Sequence, residues 1–535
     1  MGDYPAEARE HPDRVLCAMV VLAVVTVALY LPILGGEFTY DARALILVDD
    51  TIHNLRNLPD ILSLRIVGHD VVNRRRPMLL LSLMLDSVVW EKLPAGYHLS
   101  NVLLHAGCVL LLFRLLRVLQ RNCPGDQFSS QSPGVAPAFI GALVFAVHPV
   151  NSEAVCNASY RADILVAFFL LAALNAALNL SAVKIIRRIM YSVCVGLFLL
   201  LSAASKESGA MGPLLLLLMA TFLRFRGGRG VWTATIAASA AIVAALVAAY
   251  LLFAPANSAI FTELPSRLGG SLSAWLRIQL RLWVFQIQHI VLPYGLCADY
   301  TPYSIRYLSL AGAVAMLGAL LAAALWLGLR NRLLLLAIAF FAVAMIPSAN
   351  IIPIYRPVAD RFLYQPMIAV AMLPVVLVAD RRRCWMVSRI WVLLALVLVC
   401  GAIFVPQTVR RQAVWRDQVS LWLDTARKNP HSPTAHNNLG FAWLDRGEIN
   451  QAVGAWRRAV MLTDGRFADA WAGMAVGLDA LGSNEEACNA YREAIRLDGA
   501  YADPPGLVKK LTWEPAVASQ LSVVAARCGS RVPLP

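Results

Sequence analysis

The residues in this sequence that could do chemistry are charged groups set beside strongly apolar segments. The first such group is Gly36-Glu37-Phe38-Thr39-Tyr40-Asp41-Ala42-Arg43, followed by Asp49-Asp50 and, later in the same loop, Arg74-Arg75-Arg76. An acid just beyond an apolar run, with a basic triplet tens of residues on, suits a polar reaction at a membrane surface. An ordinary solvated loop with interfacial anchors would look similar. Four further segments shift the balance towards chemistry. His148-Pro149-Val150-Asn151-Ser152-Glu153 runs into Ser159-Tyr160-Arg161-Ala162-Asp163, and Ser205-Lys206-Glu207-Ser208 joins two apolar runs. Ala298-Asp299-Tyr300 follows a weaker apolar stretch, and Asp360-Arg361-Phe362-Leu363-Tyr364 opens another run. An ionised side chain at the centre of a membrane helix costs about 2.5–3.5 kcal/mol, so such residues demand a functional reason. The plainest alternative is local ion pairing, Arg361 with Asp360 or Asp299 and Lys206 with Glu207. His148 and Glu153, five residues apart around a proline, are poorly spaced as metal ligands and better suited to a helix cap or a hydrogen bond. No Walker, Rossmann, zinc-finger or serine-hydrolase pattern occurs in a credible context.

The elements that must position these groups are helices in a bilayer. Of the 535 residues 59% are hydrophobic and only 15% charged, with a mean hydropathy of +0.62. Soluble proteins carry roughly 25% charged residues, so most of this chain cannot face water. Disorder, collagen and coiled coil are excluded, as is a single-span receptor. Apolar runs begin at Val15–Leu34 and recur at 97–119, 135–149, 162–181, 189–205, 210–223, 231–253, 308–329, 333–349, 363–380 and 390–406. The stretches 77–91 and 275–296 contain Asp, Arg, Gln or His and read as interfacial helices. The expected fold is all-α, a polytopic membrane protein of about eleven transmembrane helices. Basic clusters follow every second run: Arg114, Arg117 and Arg121; Lys184, Arg187 and Arg188; Arg224, Arg226 and Arg229; Arg330 and Arg332; Arg381, Arg382 and Arg383. Positive loops stay in the cytoplasm, which puts residues 1–14 there and puts Asp41 and the other polar segments on the opposite face. Much of the net charge of +14 is then topological and calls for no nucleic acid. The ten cysteines show no Cys-x-x-Cys spacing and read as scattered apolar fillers.

From Arg410 the composition becomes that of a soluble helical domain. Gly447, Ala452, Trp456 and Ala459 recur 35 residues later as Gly482, Ala487, Tyr491 and Ala494, and Leu439-Gly440 recurs as Met474-Ala475. Small residues that let two helices approach, with an aromatic filling the gap, fit a tetratricopeptide repeat. The expected organisation is a cytoplasmic tail at 1–14, a membrane domain at 15–409 with its first external loop at 35–96, a tetratricopeptide α-solenoid at 410–503, and a cap or tail at 504–535. An odd number of spans puts the repeats on the non-cytoplasmic side.

The ordered segments Tyr40-Asp41, Arg75-Arg76-Pro77-Met78, Gly96-Tyr97-His98-Leu99-Ser100-Asn101, His148 to Val155, Ser205 to Ser208, Ala298 to Tyr300 and Ala359 to Tyr364, followed by the repeats, resemble the transmembrane and tetratricopeptide-repeat O-mannosyltransferases and their bacterial relatives. These fall in the GT-C class of polyprenyl-phosphate-sugar glycosyltransferases. The resemblance covers residues 15–500 and lies in the order of the segments. It implies a GT-C-like membrane domain and a catalytic acid in the first external loop, a position that Asp41 occupies. Many relatives carry a second acid beside it, where this chain has Ala42; Asp49 and Asp50 are the nearest acids that could stand in. It also implies donor-phosphate contacts, for which Arg361, Lys206 and Arg161 are the candidates. Asp299, Tyr300, His98 and Glu153 are candidates for sugar or acceptor contacts, while His98 and His105, seven apart on one helical face, also suit packing. No cofactor is firmly implied; a divalent metal is compatible with the class but not indicated. The implied partners are a polyprenyl-phosphate-linked hexose, the bilayer, and a protein or peptide held by the repeats. The expected location is a bacterial inner membrane with periplasmic repeats, or else an endoplasmic reticulum membrane with lumenal repeats. A catalytically inactive scaffold and a lipid-linked-sugar transporter are the rival readings. Asp41, Lys206, Asp299 and Arg361 should converge on one external cavity.

Overall fold

The computed structural model describes residues 12–63, 73, 75–121, 134–179, 185–223, 270–305, 307–329, 331–351, 354, 356–379, 386–510 and 513–529. The expected crossing at 231–253, Arg74, Lys184, Arg330 and the basic clusters at 224–229 and 381–383 lie outside them. Among the described residues every regular element is helical.

Among the described residues seven helices are long and apolar enough to cross a membrane: Pro12–Gly35, Pro94–Arg121, Ala158–Ala177, Ile186–Ser205, Leu310–Gly328, Arg332–Ala349 and Trp391–Val414. An eighth candidate is the pair Ala136–Val147 and Pro149–Cys156, bent by 47°. The bend has a local cause. Pro149 has no N–H to continue the ladder, and His148 turns its ring to cap the new helix, its Nδ1 accepting from Val150 N–H at 3.3 Å. That fixes the tautomer, so Nε2 donates to the Ile290 carbonyl at 2.9 Å. The expected crossings at 210–223 and 363–380 appear as the shorter apolar helices Glu207–Phe222 and Met367–Leu377. The two stretches read as interfacial form the helices Pro77–Trp90 and Leu272–Val291. The first packs Leu79, Leu80 and Leu83 inward and exposes Leu85, Val88 and Val89, so it is apolar on both faces, as a helix against lipid must be.

The C-terminal region is built of antiparallel helix pairs, Pro433–Asp445 with Ile449–Leu462 and Ala468–Ala480 with Asn484–Leu497. Trp456 is fully buried. Its indole lies where a Cβ on Gly440 or Gly473 would approach within 2.5 Å, so the two glycines are the space that the tryptophan fills. A single apolar core runs from the membrane helices through Trp415, Leu421, Trp422 and Leu439. The helix Val405–Val414 likewise passes without a break through the sequence boundary at 409 and 410. A second core holds the remaining pairs together with Leu507, Trp513, Val517, Leu521 and Val524 of the C-terminal segment.

The reading of all cysteines as fillers is corrected at two of them: Cys488 and Cys528 form a disulfide, their Cα atoms 5.3 Å apart. It ties the Pro515–Arg527 helix to Asn484–Leu497. Sequence spacing could not reveal it, because the partners are 40 residues apart and meet only when the last helix folds back. Replacing Cys528 with Ser should lower the stability of this region by about 2–4 kcal/mol, the usual effect of opening a loop of this size. Pulse proteolysis of the full chain measures it.

Candidate functional site

Asp41 ends an extended approach from the first span. Gly36 N–H bonds the Ile33 carbonyl at 2.8 Å, and Tyr40, with φ of +52°, turns the chain into a short helical segment. A left-handed backbone is rare outside glycine and costs about 1–3 kcal/mol, which the surroundings must hold in place. The result presents the Asp41 carboxylate to Tyr160, whose hydroxyl donates to Oδ2 at 3.1 Å. The next residue, Ala42, is fully buried in an apolar cluster with Leu45, Ile46, Leu79 and Leu80. The position at which the resemblance implies a second acid is therefore a packing position here. The two nearby acids have partners of their own. Asp49 caps a short turn by accepting from Thr51 N–H at 2.9 Å, and Asp50 is exposed and pairs with Lys92 at 3.5 Å.

Tyr160 joins Asp41 to the cations. The Arg361 guanidinium carbon lies 4.0 Å from the centre of its ring, a close cation–π contact. Arg361 is held from behind by Glu153, which pairs with its guanidinium and accepts its backbone N–H at 3.0 Å. Phe362 carries the series onward, with Lys206 Nζ 5.1 Å from its ring centre and Arg361 5.2 Å. Lys206 in turn pairs with Asp163 at 2.6 Å. The alternatives suggested by adjacency, Arg361 with Asp360 or Asp299 and Lys206 with Glu207, do not form among the described residues. Asp360 instead accepts from Tyr300 at 2.6 Å, and Glu207 pairs with Arg76 at 3.3 Å.

Arg356 completes the cluster, and sequence reasoning passed over it. It pairs with Asp299 and lies 5.2 Å from the centre of the Tyr40 ring. Burial pulls the Arg356 guanidinium down, but Tyr40, Asp299, Tyr160 and Asp41 outweigh it and hold the group above its ordinary range. Arg361 behaves likewise: burial opposes its charge, while Tyr160, Glu153, Asp163 and Asp41 raise it. Both stay cationic. Burial and then Asp41 push the Tyr40 hydroxyl up, so it stays protonated. One acid with two fixed arginines beyond a pair of tyrosines can take up a proton on one side and bind a phosphate on the other.

The remaining candidates sit further out. Arg161 is wholly buried and committed to structure: it donates to Asn101 at 2.6 Å, to Asp86 at 2.5 Å, and to the Ser82 and Tyr97 carbonyls at 3.1 and 3.0 Å. It ties the Pro77–Trp90 helix to the third candidate span and leaves no fork for a phosphate. Removing one partner of such a pair strands a buried charge at a cost of about 3–5 kcal/mol. Arg161→Met should therefore abolish the folded protein, and adding Asp86→Asn should recover much of it, as monodispersity in detergent would show. Tyr300 packs against Phe285 and His289 and bonds Asp360. His98 lies behind the first loop, its Nε2 3.4 Å from the Glu37 carbonyl. His105 is buried between spans and bonds Tyr364 at 2.7 Å. Glu153 and Asp299 act on the arginines rather than on open space. Asp41, Arg361, Lys206 and Asp299 thus meet as one cluster, linked through Tyr160, Phe362 and Arg356. Among the described residues no three His, Cys, Asp or Glu side chains gather as a metal site.

No protein-family model matches the chain. Its curated homologues are protein O-mannosyl-transferases. It is 24% identical over 482 residues to protein O-mannosyl-transferase F38B6.6 of Caenorhabditis elegans, an alignment that covers 85% of this chain and 64% of that protein. It is 26% identical to Tmtc3 of Drosophila melanogaster, covering 72% of this chain and 48% of the relative. Against TMTC3 of Mus musculus the identity is 24%, with 81% and 50% covered. The chain therefore spans about half to two thirds of the length of the curated relatives it matches. The resemblance carried by the ordered motifs is borne out.

Proposed function

We propose that this chain is a membrane glycosyltransferase that moves a hexose, mannose-like, from a polyprenyl-phosphate donor to a hydroxyl on a protein acceptor. The single observation that carries the reading is the line Asp41–Tyr160–Arg361, an acid at the hydroxyl and a fixed cation over the ring face of one aromatic side chain. Asp41 takes the proton from the acceptor hydroxyl as its oxygen attacks the anomeric carbon. The bond from that carbon to the phosphate oxygen breaks, and the lipid phosphate leaves with the bonding electrons. Arg361, supported by Lys206 and Arg356, stabilises the charge that grows on it, most effectively where water is scarce. Tyr160 orients the carboxylate through Oδ2, which leaves Oδ1 for the acceptor.

The finer features belong to the same reading. The membrane domain has a GT-C-like arrangement of about eleven crossings, and the C-terminal helix pairs are tetratricopeptide repeats of an α-solenoid that presents the acceptor beside the site. The site and the repeats face the non-cytoplasmic side, in a bacterial periplasm or an endoplasmic reticulum lumen. The Cys488–Cys528 disulfide supports that side, since such bonds persist in oxidising compartments. The test is transfer by the purified full chain in proteoliposomes, with polyprenyl-phosphate mannose as donor and a serine- and threonine-rich protein as acceptor. Absence of transfer with any hexosyl-phosphate lipid would leave the scaffold reading standing.

A further inference from the structure

The loop that carries Asp41 is held by the C-terminal helices as well as by the membrane helices from which it emerges. Arg43, two residues past the acid, reaches across to two carboxylates: its Nη2 lies 3.1 Å from Asp445, and its Nε donates to Glu514 at 2.5 Å. Asp445 ends the Pro433–Asp445 helix, and Glu514 precedes the last helix. Upstream, Glu37 N–H donates to the Arg416 carbonyl at 2.8 Å, and the Glu37 carboxylate pairs with Arg446 at 3.1 Å. Gly36 permits this approach, since a Cβ there would lie 3.2 Å from the Arg416 oxygen.

The strained residue is held from the same direction. Tyr40 N–H faces Gln418 Oε1 at 3.4 Å, and Trp422 Nε1 fixes that amide by donating to the same oxygen at 3.0 Å. The Tyr40 ring stands edge-on to Trp422, with centres 4.8 Å apart. A second loop of the site is tied down too. Asp299, the partner of Arg356, accepts from Ser432, and its carbonyl accepts from Asn429 at 3.1 Å. A left-handed tyrosine persists only when its surroundings over-determine it, and here Gln418 and Trp422 share that role with Tyr160 and Arg356.

We infer that the C-terminal domain is a structural half of the transfer site, with Arg43 as a positioning residue whose clasp between Asp445 and Glu514 fixes the loop that aims Asp41. The inference rests on the reading of Asp41 as general base, and it gives the repeats a role beyond acceptor capture. Burial raises the Asp445 carboxyl to about 6 against the pull of Arg43, with Glu514 and Glu37 adding to the rise. The clasp is therefore a crowded acidic pocket with Arg43 as its counter-charge.

The experiment compares the full chain with Arg43→Ala, with Arg43→Glu, and with Arg43→Glu combined with Asp445→Lys and Glu514→Lys. Hydrogen–deuterium exchange over residues 36–48 and the steady-state constants for transfer are measured on each. A loop displaced by about 1 Å loses roughly 100-fold in rate, so Arg43→Ala should lower kcat by about 10- to 100-fold while KM for the lipid donor holds. Exchange at 36–48 should rise with the membrane helices still protected, and the reversed charges should restore both. Unchanged exchange and unchanged kcat in Arg43→Ala would overturn the inference. If the native chain transfers no sugar, the reading of its function fails, and the exchange data still decide whether the clasp holds the loop.

Discussion

Asp41→Asn should lower kcat for sugar transfer by about 10²- to 10⁴-fold, the usual contribution of a positioned general base. Asn keeps the size of the side chain and can still accept from Tyr160, whose hydroxyl lies 3.1 Å from Oδ2 in the native protein. What it loses is the capacity to take a proton. KM for the lipid donor should stay near the native value, because the proposed reading assigns the phosphate contacts to Arg361, Lys206 and Arg356. Tyr160→Phe separates orientation from basicity: it keeps the ring under Arg361 and removes the hydroxyl, so its loss should be smaller. The measurement is initial-rate transfer of radiolabelled sugar in proteoliposomes. Native turnover by Asp41→Asn would remove Asp41 from the mechanism.

Arg361→Met should have two separable effects. The first is on the fold. Glu153 is almost completely buried and has Arg361 as its ion-pair partner, so deleting the cation strands a carboxylate at a cost of about 3–5 kcal/mol. Adding Glu153→Gln removes the stranded charge and should return most of that stability, read as the melting midpoint in detergent. The second effect is on the reaction. With the fold recovered, the double variant still lacks the cation 4.0 Å from the centre of the Tyr160 ring, and kcat should stay low. If the double variant transfers sugar at the native rate, Arg361 is a structural partner of Glu153 and the phosphate site lies elsewhere. Arg361→Lys is a third arm. A lysine keeps the charge without the planar fork that matches phosphate, so partial activity is the expected outcome.

Among the described residues the apolar runs are helices at nearly the expected places, because lipid leaves a backbone no other local solution: every N–H and C=O must be satisfied within the segment. The 35-residue repeat was legible because Gly447, Ala452, Trp456 and Ala459 recur as Gly482, Ala487, Tyr491 and Ala494, small residues and one aromatic at fixed spacing. The order of the polar segments pointed to a family whose curated members are the chain's homologues. These signals are written in composition and spacing over short distances.

The partners of the charged groups were not written there. Asp360 and Arg361 are neighbours in a 3-10 turn, whose three residues per turn send adjacent side chains about 120° apart; one meets Tyr300 and the other Glu153. Lys206 is extended at φ −165° before a new turn begins, so it and Glu207 diverge to Asp163 and Arg76. Arg356 carries no motif. It matters only because folding brings it over Tyr40, more than three hundred residues away in the chain. The same is true of Arg43, which reads as an ordinary loop arginine until the last helices return to clasp it. By itself the sequence determined that this chain is a bundle of apolar helices with a helical-repeat end, and which polar segments to suspect. Which acid faces which cation was decided by the tertiary structure, because in a water-poor interior a buried charge takes whichever partner the packing brings within reach.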